Sequence, residues 1–172
     1  MPMPDLYDAP AARLGLLLKN RGLSCATAES CTGGLIGATL TDIPGSSEWY
    51  RGGVISYANE AKTRLLGVPE DMLRAHGAVS PEVARCMAEN ARTRYNSDFG
   101  LGITGIAGPD GGTPEKPVGL VYIALSAVDG VRLRVMRPQG RYLGRDWTRN
   151  RAASHALDLL RRYLFGLPMN PD

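Results

Sequence analysis

Apolar and polar positions along the chain fall into segments of two kinds, one with helical spacing and one with the composition of strands. Apolar residues at helical spacing predict helices over residues 5–20, 60–66, 69–75, 81–95 and 145–165. Short β-rich runs predict strands over residues 23–28, 49–57, 99–104, 119–126 and 131–138. A further amphipathic helix follows the first strand and ends near residue 42, before Pro44 and Gly45.

This alternation of helices and strands predicts an α/β fold. We expect a three-layer α/β/α domain, spanning residues 1–172, with a mixed and mostly parallel sheet. The last two strands are separated by Val128-Asp129-Gly130. Because Asp-Gly between two β-rich runs is typical of a tight turn, these strands are predicted to form an antiparallel hairpin.

The segment 23–45 places several reactive groups at one tight corner. After the strand 23–28 come a carboxylate, two hydroxyls, a thiol and two glycines: Glu29, Ser30, Cys31, Thr32, Gly33 and Gly34. We expect Ser30 to be the N-cap of the following helix, with the two glycines in its first turn. Free N–H groups there suit a phosphate or a developing oxyanion. The alternative is a capped helix whose glycines only permit close packing.

Lys62 is the candidate base for a serine nucleophile. With Asn59 as N-cap, Lys62 lies at N3, where its charge opposes the helix dipole. If the strand 49–57 lies beside the strand 23–28, then Tyr57, Lys62 and Ser30 converge at one edge of the sheet. A lysine with a lowered pKa can activate a serine where no histidine is available. The alternative is a solvated lysine whose side chain points away.

Cys31 is the rival nucleophile, because a thiol at a helix N-terminus tends to have a lowered pKa. Neither His76 nor His155 lies in a context that suggests a partner for it, so a small buried cysteine is the favoured interpretation. Glu29 orients the corner or contacts a ligand, and the equal alternative is a structural carboxylate bonded to nearby amides.

Residues 105–119 form a long segment rich in glycine and proline between two predicted strands. Such a segment is usually functional or disordered, and its place between strands of the sheet favours an ordered ligand-binding loop. Thr104 lies where the preceding strand ends, a usual place for ligand contacts. Gly100, Gly102 and Gly105 formally match a dinucleotide-binding fingerprint, which we reject because no helix follows them.

The composition argues against several classes of protein, among them nucleic-acid-binding, membrane-spanning and secreted proteins. A hydrophobic fraction of 44% and a charged fraction of 22% are ordinary for a soluble globular protein. The net charge of +3 is too small to argue for a nucleic-acid partner. No apolar run approaches the ~20 residues of a membrane span, and no secretion signal is evident. The 3 cysteines are expected as reduced thiols in the cytoplasm, and with 2 histidines a histidine-rich metal site is excluded.

Together these motifs resemble the CinA C-terminal domain family, the nicotinamide-nucleotide amidohydrolases. The resemblance covers nearly the whole chain and rests on residues 27–34, on Tyr57, Asn59 and Lys62 with 66–68, on 77–80 and 87–88, and on the glycine-rich segment 104–119. Two positions depart from the family pattern. The family's Gly-Asp-Arg before the last helix is reduced to Gly144-Arg145, and Asn90 stands where glycine is common.

The resemblance implies hydrolysis of nicotinamide mononucleotide to nicotinate mononucleotide and ammonia, within pyridine-nucleotide recycling. It implies Ser30 as nucleophile, Lys62 as its base and Tyr57 as a supporting proton-transfer group, without metal or cofactor. It also suggests a homodimer. Larger members carry an N-terminal domain resembling molybdopterin-binding proteins, for which this length leaves no room, so the stand-alone form is expected.

The expected partner is a small nucleotide, with neither nucleic acid nor membrane involved. Its contacts are expected from the corner, the end of the third strand, the loop and the last helix: Glu29, Thr32, Gly33, Gly34, Thr104, Gly105, Ala107, Gly108 and Arg145. Amides of residues 32–34 or of the 105–112 loop would hold the oxyanion, and the other set would suit the phosphate. The alternatives are a nucleotide-binding or competence-related interaction protein without turnover, and a thiol amidase that uses Cys31.

Overall fold

Helices and strands alternate through residues 10–138 and 140–170, which the computed structural model describes. In chain order they are α1 (Pro10–Asn20), β1 (Cys25–Glu29), α2 (Leu35–Thr41), a 3₁₀ helix (Ser46–Glu48), β2 (Tyr50–Ile55), α3 (Asn59–Leu66), α4 (Glu70–His76), α5 (Pro81–Arg94), β3 (Phe99–Gly105), β4 (Val121–Ala127), β5 (Gly130–Met136) and α6 (Arg145–Phe165). Residues 5–9, where the first predicted helix begins, lie outside the described residues.

The five strands form one mixed sheet in the order β2-β1-β3-β4-β5. Strand β1 pairs in parallel with both β2 and β3, whereas β4 is antiparallel to both β3 and β5. Only β4 therefore runs against the other strands, which confirms the mixed and mostly parallel sheet. The predicted hairpin is confirmed too, although Ala127 pairs with Gly130, so that Val128 and Asp129 form the turn instead of Asp129 and Gly130.

Helices cover both faces of the sheet, which confirms the three-layer arrangement. Helices α1, α2 and α6 cover one face, where Leu40 and Leu160 share a buried cluster with Leu101 and Ile123 of the sheet. Helices α3, α4 and α5 cover the other face, where Met87 packs in a cluster with alanines of β1. None of the helices in the described part of the chain has the length and hydropathy that crossing a membrane requires.

Close packing of α5 on β3 explains the glycines that formally matched the dinucleotide fingerprint. A Cβ atom on Gly100 would lie 2.0 Å from the carbonyl oxygen of Ala88, and one on Gly102 would lie 2.4 Å from that of Ala84. Glycine is therefore required by the helix–sheet contact, without any ligand.

Candidate active site

Three parallel strands end side by side at one edge of the sheet and bring the candidate residues together. Glu29 is in register with both Ile55 and Ile103. The ladder continues for one residue, since the N–H of Ser30 donates to the oxygen of Ile103 and the N–H of Ser56 donates to the oxygen of Glu29. The residues that follow these strands, including Ser30 and Tyr57, therefore meet at this edge.

The helix after this corner is capped by Glu29 and not by Ser30, which corrects the prediction. Helix α2 begins at Leu35, with Gly34 at the N-cap position and no side-chain cap from that residue. The carboxylate of Glu29, 1% exposed, accepts hydrogen bonds from the amides of Gly34 (3.1 Å), Ile36 (3.1 Å) and Gly37 (2.8 Å). The geometry thus favours the structural interpretation of Glu29, and it leaves the Ser30 hydroxyl free for another partner.

Gly33 and Gly34 form the tight turn before the helix and do not belong to its first turn. Both have left-handed backbone angles, with φ of 61° and 97°. The amide of Gly33 donates to the oxygen of Ser30 at 3.0 Å, and that of Leu35 donates to the oxygen of Thr32. Because the amides of Gly34, Ile36 and Gly37 donate to Glu29, every N–H of residues 33–37 is already bonded and none is left for a ligand. Within the described residues, the amides of Cys31 and Thr32 have no partner outside their own residue.

Lys62 points into this corner, so the solvated alternative is wrong. Helix α3 begins at Asn59 with Ala58 as N-cap, which places Lys62 at N4 instead of N3. Its side chain is only 1% exposed. The Nζ atom lies 3.0 Å from Ser30 Oγ, 2.7 Å from the carbonyl oxygen of Ser56 and 3.4 Å from that of Tyr57.

These partners suit an amine that loses its proton. Burial lowers the pKa of Lys62, opposed only by a smaller charge interaction with Cys31, and no carboxylate bonds to it within the described residues. A carbonyl can only accept, so the oxygens of Ser56 and Tyr57 take the two hydrogens of the neutral amine. The lone pair is then left for the third neighbour, the hydroxyl of Ser30.

Cys31 is poorly suited to act as a nucleophile. Its side chain is 5% exposed, and burial raises its pKa to about 12. The expected lowering by a helix N-terminus is not the main influence, because α2 begins four residues later, at Leu35. The thiol is therefore protonated near neutral pH, and the geometry favours Ser30.

Tyr57 contacts Lys62 through its backbone and the last helix through its side chain. Its carbonyl faces Lys62, while its phenol, on a side chain of a residue that is 60% exposed, accepts a hydrogen bond of 2.6 Å from Arg145. The same guanidinium donates to the oxygen of Gly108 at 2.8 Å. Arg145 therefore ties Tyr57 to the glycine-rich loop, and the phenolic hydrogen is left free to donate.

The loop between β3 and β4 is ordered by its own hydrogen bonds. Ile106 and Leu120 are joined through backbone atoms, as are Thr113 and Lys116. Within the described residues, the amides of Ala107 and Gly108 have no partner and are available to a ligand. The carbonyl of Ala107 accepts from the phenol of Tyr142 at 3.0 Å.

Thr104 and Gly105 have evident structural roles. The hydroxyl of Thr104, which is fully buried, donates to the oxygen of Ala78 at 2.7 Å and ties β3 to the segment before α5. Gly105 pairs with Val121, and a Cβ atom on it would lie 2.6 Å from a methyl group of that valine. Their predicted contacts with substrate stay predictions.

Three residues at the site were not found from the sequence. Arg149 donates to the oxygen of Thr32 at 2.9 Å, and Ser56 supplies a carbonyl to Lys62. Tyr142 holds the loop. Arg149 follows Arg145 by one helical turn, a spacing that places both on one face of the predicted helix, but Ser56 and Tyr142 carry no comparable signal. The buried hydroxyls of Thr32 and Ser56 have no partner within the described residues.

The described residues hold no group of three or more His, Cys, Asp or Glu side chains that could bind a metal ion.

Comparison with known proteins gives consistent matches over most of the chain. The model of the CinA C-terminal domain matches residues 8–164. A CinA-like protein of Desulfovibrio desulfuricans is 65% identical over 152 residues, and one of Gemmatimonas aurantiaca is 59% identical over 143 residues. These alignments cover 88% and 83% of this chain, but only 36% and 32% of those relatives. The chain thus spans about a third of the length of the relatives it matches.

Solved structures share the fold. The competence/damage inducible protein CihA from Agrobacterium tumefaciens is 41% identical, with a TM-score of 0.87 over 96% of this chain and 99% of that one. A CinA superfamily protein from Klebsiella pneumoniae is 29% identical, with a TM-score of 0.86 over 95% of this chain and 99% of that one.

Proposed function

The chain belongs to the CinA C-terminal domain family, and we propose that it hydrolyses the carboxamide of nicotinamide mononucleotide to nicotinate mononucleotide and ammonia. The observation that carries the proposal is the distance of 3.0 Å between Lys62 Nζ and Ser30 Oγ, with a buried lysine that has no carboxylate partner among the described residues. A nucleophile and a base within hydrogen-bond reach are what amide hydrolysis through a covalent intermediate needs.

In the first half of the reaction, Ser30 is acylated. Its Oγ attacks the carboxamide carbon while its proton moves to the neutral Nζ of Lys62. The resulting ammonium returns that proton to the amide nitrogen, the C–N bond breaks and ammonia leaves. Because the two carbonyls fix the orientation of the amine, its lone pair faces Oγ at the start of the step.

In the second half, water releases the product. A water molecule attacks the ester carbon, and Lys62 takes one of its protons. The bond from carbon to Oγ then breaks, and Oγ recovers a proton from Lys62. One water is consumed, and one ammonia and one carboxylic acid are released, so the enzyme returns to its starting state.

The neighbouring groups supply orientation and charge stabilisation. The unpartnered amides of Cys31 and Thr32 lie next to the nucleophile and suit the oxyanion, as the amide after a nucleophile does in other hydrolases. The loop amides of Ala107 and Gly108 then suit the phosphate. Tyr57 can donate its phenolic proton because Arg145 occupies only the lone-pair side of its oxygen.

The test is ammonia release from nicotinamide mononucleotide by the purified chain, measured with a strong chelator present. We expect turnover by the wild type and loss of it in Ser30→Ala. Nicotinamide riboside and free nicotinamide serve as comparison substrates that lack the phosphate or the whole nucleotide. Binding of the mononucleotide without any ammonia release would instead support the non-catalytic alternative.

A further inference from the structure

Arg149 contacts the nucleophile corner from a different layer of the fold. It lies in α6, and its Nη2 atom donates to the carbonyl oxygen of Thr32 at 2.9 Å. A Cβ atom on Gly33 would lie 3.4 Å from the same Nη2. The guanidinium therefore lies directly against the turn that follows Ser30.

The bond restrains the peptide unit between Thr32 and Gly33 from outside the corner. The other hydrogen bonds of this unit come from the corner itself: the oxygen of Thr32 also accepts from the amide of Leu35 at 3.2 Å, and the amide of Gly33 donates to the oxygen of Ser30 at 3.0 Å. The buried hydroxyl of Thr32 has no partner within the described residues. The next two residues, Gly33 and Gly34, have no side chains whose packing could hold the turn. A charge-assisted hydrogen bond is roughly twice as strong as a neutral one, so Arg149 is the main outside restraint.

The amides that this restraint positions are the ones left for an oxyanion. Those of residues 33–37 are all bonded, to Ser30, Thr32 or the carboxylate of Glu29. The amides of Cys31 and Thr32 precede the anchored carbonyl by one or two peptide units.

We infer that Arg149 is a positioning residue that holds the Cys31 and Thr32 amides in place as the oxyanion hole of Ser30. The inference rests on the proposed function, since it concerns the same reaction. The amides of Cys31 and Thr32 then bind the oxyanion, and the amides of residues 107–108 remain available for the phosphate. A residue of this kind lowers the barrier of the chemical step and contributes little to binding of the ground state.

The test compares Arg149→Met and Arg149→Lys with Arg151→Met as the matched control. Arg151 lies on the same helix but packs over Trp147. For Arg149→Met we expect kcat to fall at least about tenfold while KM for nicotinamide mononucleotide changes less than about threefold. Arg149→Lys keeps the charge and one donor, so it recovers part of kcat. Arg151→Met matches the wild type, and thermal melts check that all variants are folded.

The pattern of failure distinguishes the two proposals. A wild type that releases no ammonia would remove the proposed function, and this inference with it. An active wild type with an unchanged kcat in Arg149→Met would remove the inference alone. A rise in KM without a fall in kcat, seen for the mononucleotide but not for nicotinamide riboside, would overturn it in favour of phosphate binding by Arg149.

Discussion

Lys62 and Arg134 are both buried basic side chains, 1% and 3% exposed, and they differ in whether a carboxylate partners them. Arg134 has a carboxylate partner, Asp158, at 3.0 Å, and also donates to the carbonyl oxygens of His155 and Met169. Lys62 has two carbonyls and a hydroxyl, and no carboxylate among the described residues. A buried guanidinium keeps its proton and holds α6 to the sheet, whereas a buried amine without an anion becomes a base.

The largest effect is expected from removing the nucleophile on which Lys62 acts. Ser30→Ala should lower ammonia release by about a thousandfold or more, as loss of a nucleophile does elsewhere. The fold should survive, because the helix cap belongs to Glu29. Cys31→Ala should keep most activity, since burial raises the pKa of that thiol to about 12. An inactive Cys31→Ala beside an active Ser30→Ala would establish a thiol mechanism instead.

Making Lys62 resemble Arg134 should also stop the reaction. In Lys62→Arg the charge is kept, but a guanidinium cannot lose its proton near neutral pH, so Ser30 has no base. We expect activity at least about a hundredfold below the wild type by the same ammonia assay. Lys19→Arg, at an exposed ion pair with Glu48, controls for the substitution itself. Activity retained in Lys62→Arg would mean that the residue holds substrate by charge.

The two basic side chains should also differ in their effect on stability. Arg134→Met leaves Asp158 with fewer donors and removes the hydrogen bonds to the carbonyls of His155 and Met169, so we expect a loss of about 2–3 kcal/mol in the free energy of unfolding. Lys62→Met loses two bonds to carbonyls but also removes the cost of burying an amine without an anion, so its stability should stay within about 1 kcal/mol of the wild type at pH 7. Denaturant unfolding measures both. Equal losses would show that Lys62 is as structural as Arg134.

The pH dependence of stability tests whether the pKa of Lys62 is lowered. Because burial lowers the pKa of Lys62, the unfolded chain binds one more proton between the folded pKa and the ~10.4 of a free lysine. Wild-type stability should therefore rise with pH across that window relative to Lys62→Met, and the difference should be constant below it. A constant difference throughout the alkaline range would mean that the pKa of Lys62 is not lowered.

A smaller effect is expected in the glycine-rich loop, away from Lys62 and Arg134. Gly108 has φ of +83°, and a Cβ atom there would lie 2.5 Å from Val118 and 2.6 Å from the phenol oxygen of Tyr142. Gly108→Val should raise KM about tenfold, a binding loss of about 1.4 kcal/mol, through displacement of the loop amides. Gly22→Val is the control, since Gly22 has φ of +64° with nothing within 4 Å. Unchanged kinetics would mean that the loop is only a connector.

The sequence predicted the convergence of Ser30 and Lys62 because parallel strands share an edge where their carboxyl ends meet. Prediction from the sequence was wrong or incomplete where a side chain contacts residues outside its own helix or strand. Ser30 was predicted as the cap because it has the residue type and position of one. The actual cap, Glu29, accepts hydrogen bonds from amides up to eight residues later, and a local sequence pattern does not show such contacts. The contact of Arg149 with Thr32 spans 117 residues and arises only when α6 packs against the corner.

The central claim, that neutral Lys62 activates Ser30, is tested most directly by the pH dependence of turnover at saturating nicotinamide mononucleotide. The neutral amine is the reactive form, and its pKa is lowered by burial. Turnover should therefore rise with pH and level off above an apparent pKa below the ~10.4 of free lysine. A rate that is independent of pH from about pH 6 to 10, or one that falls as the amine loses its proton, would contradict the claim.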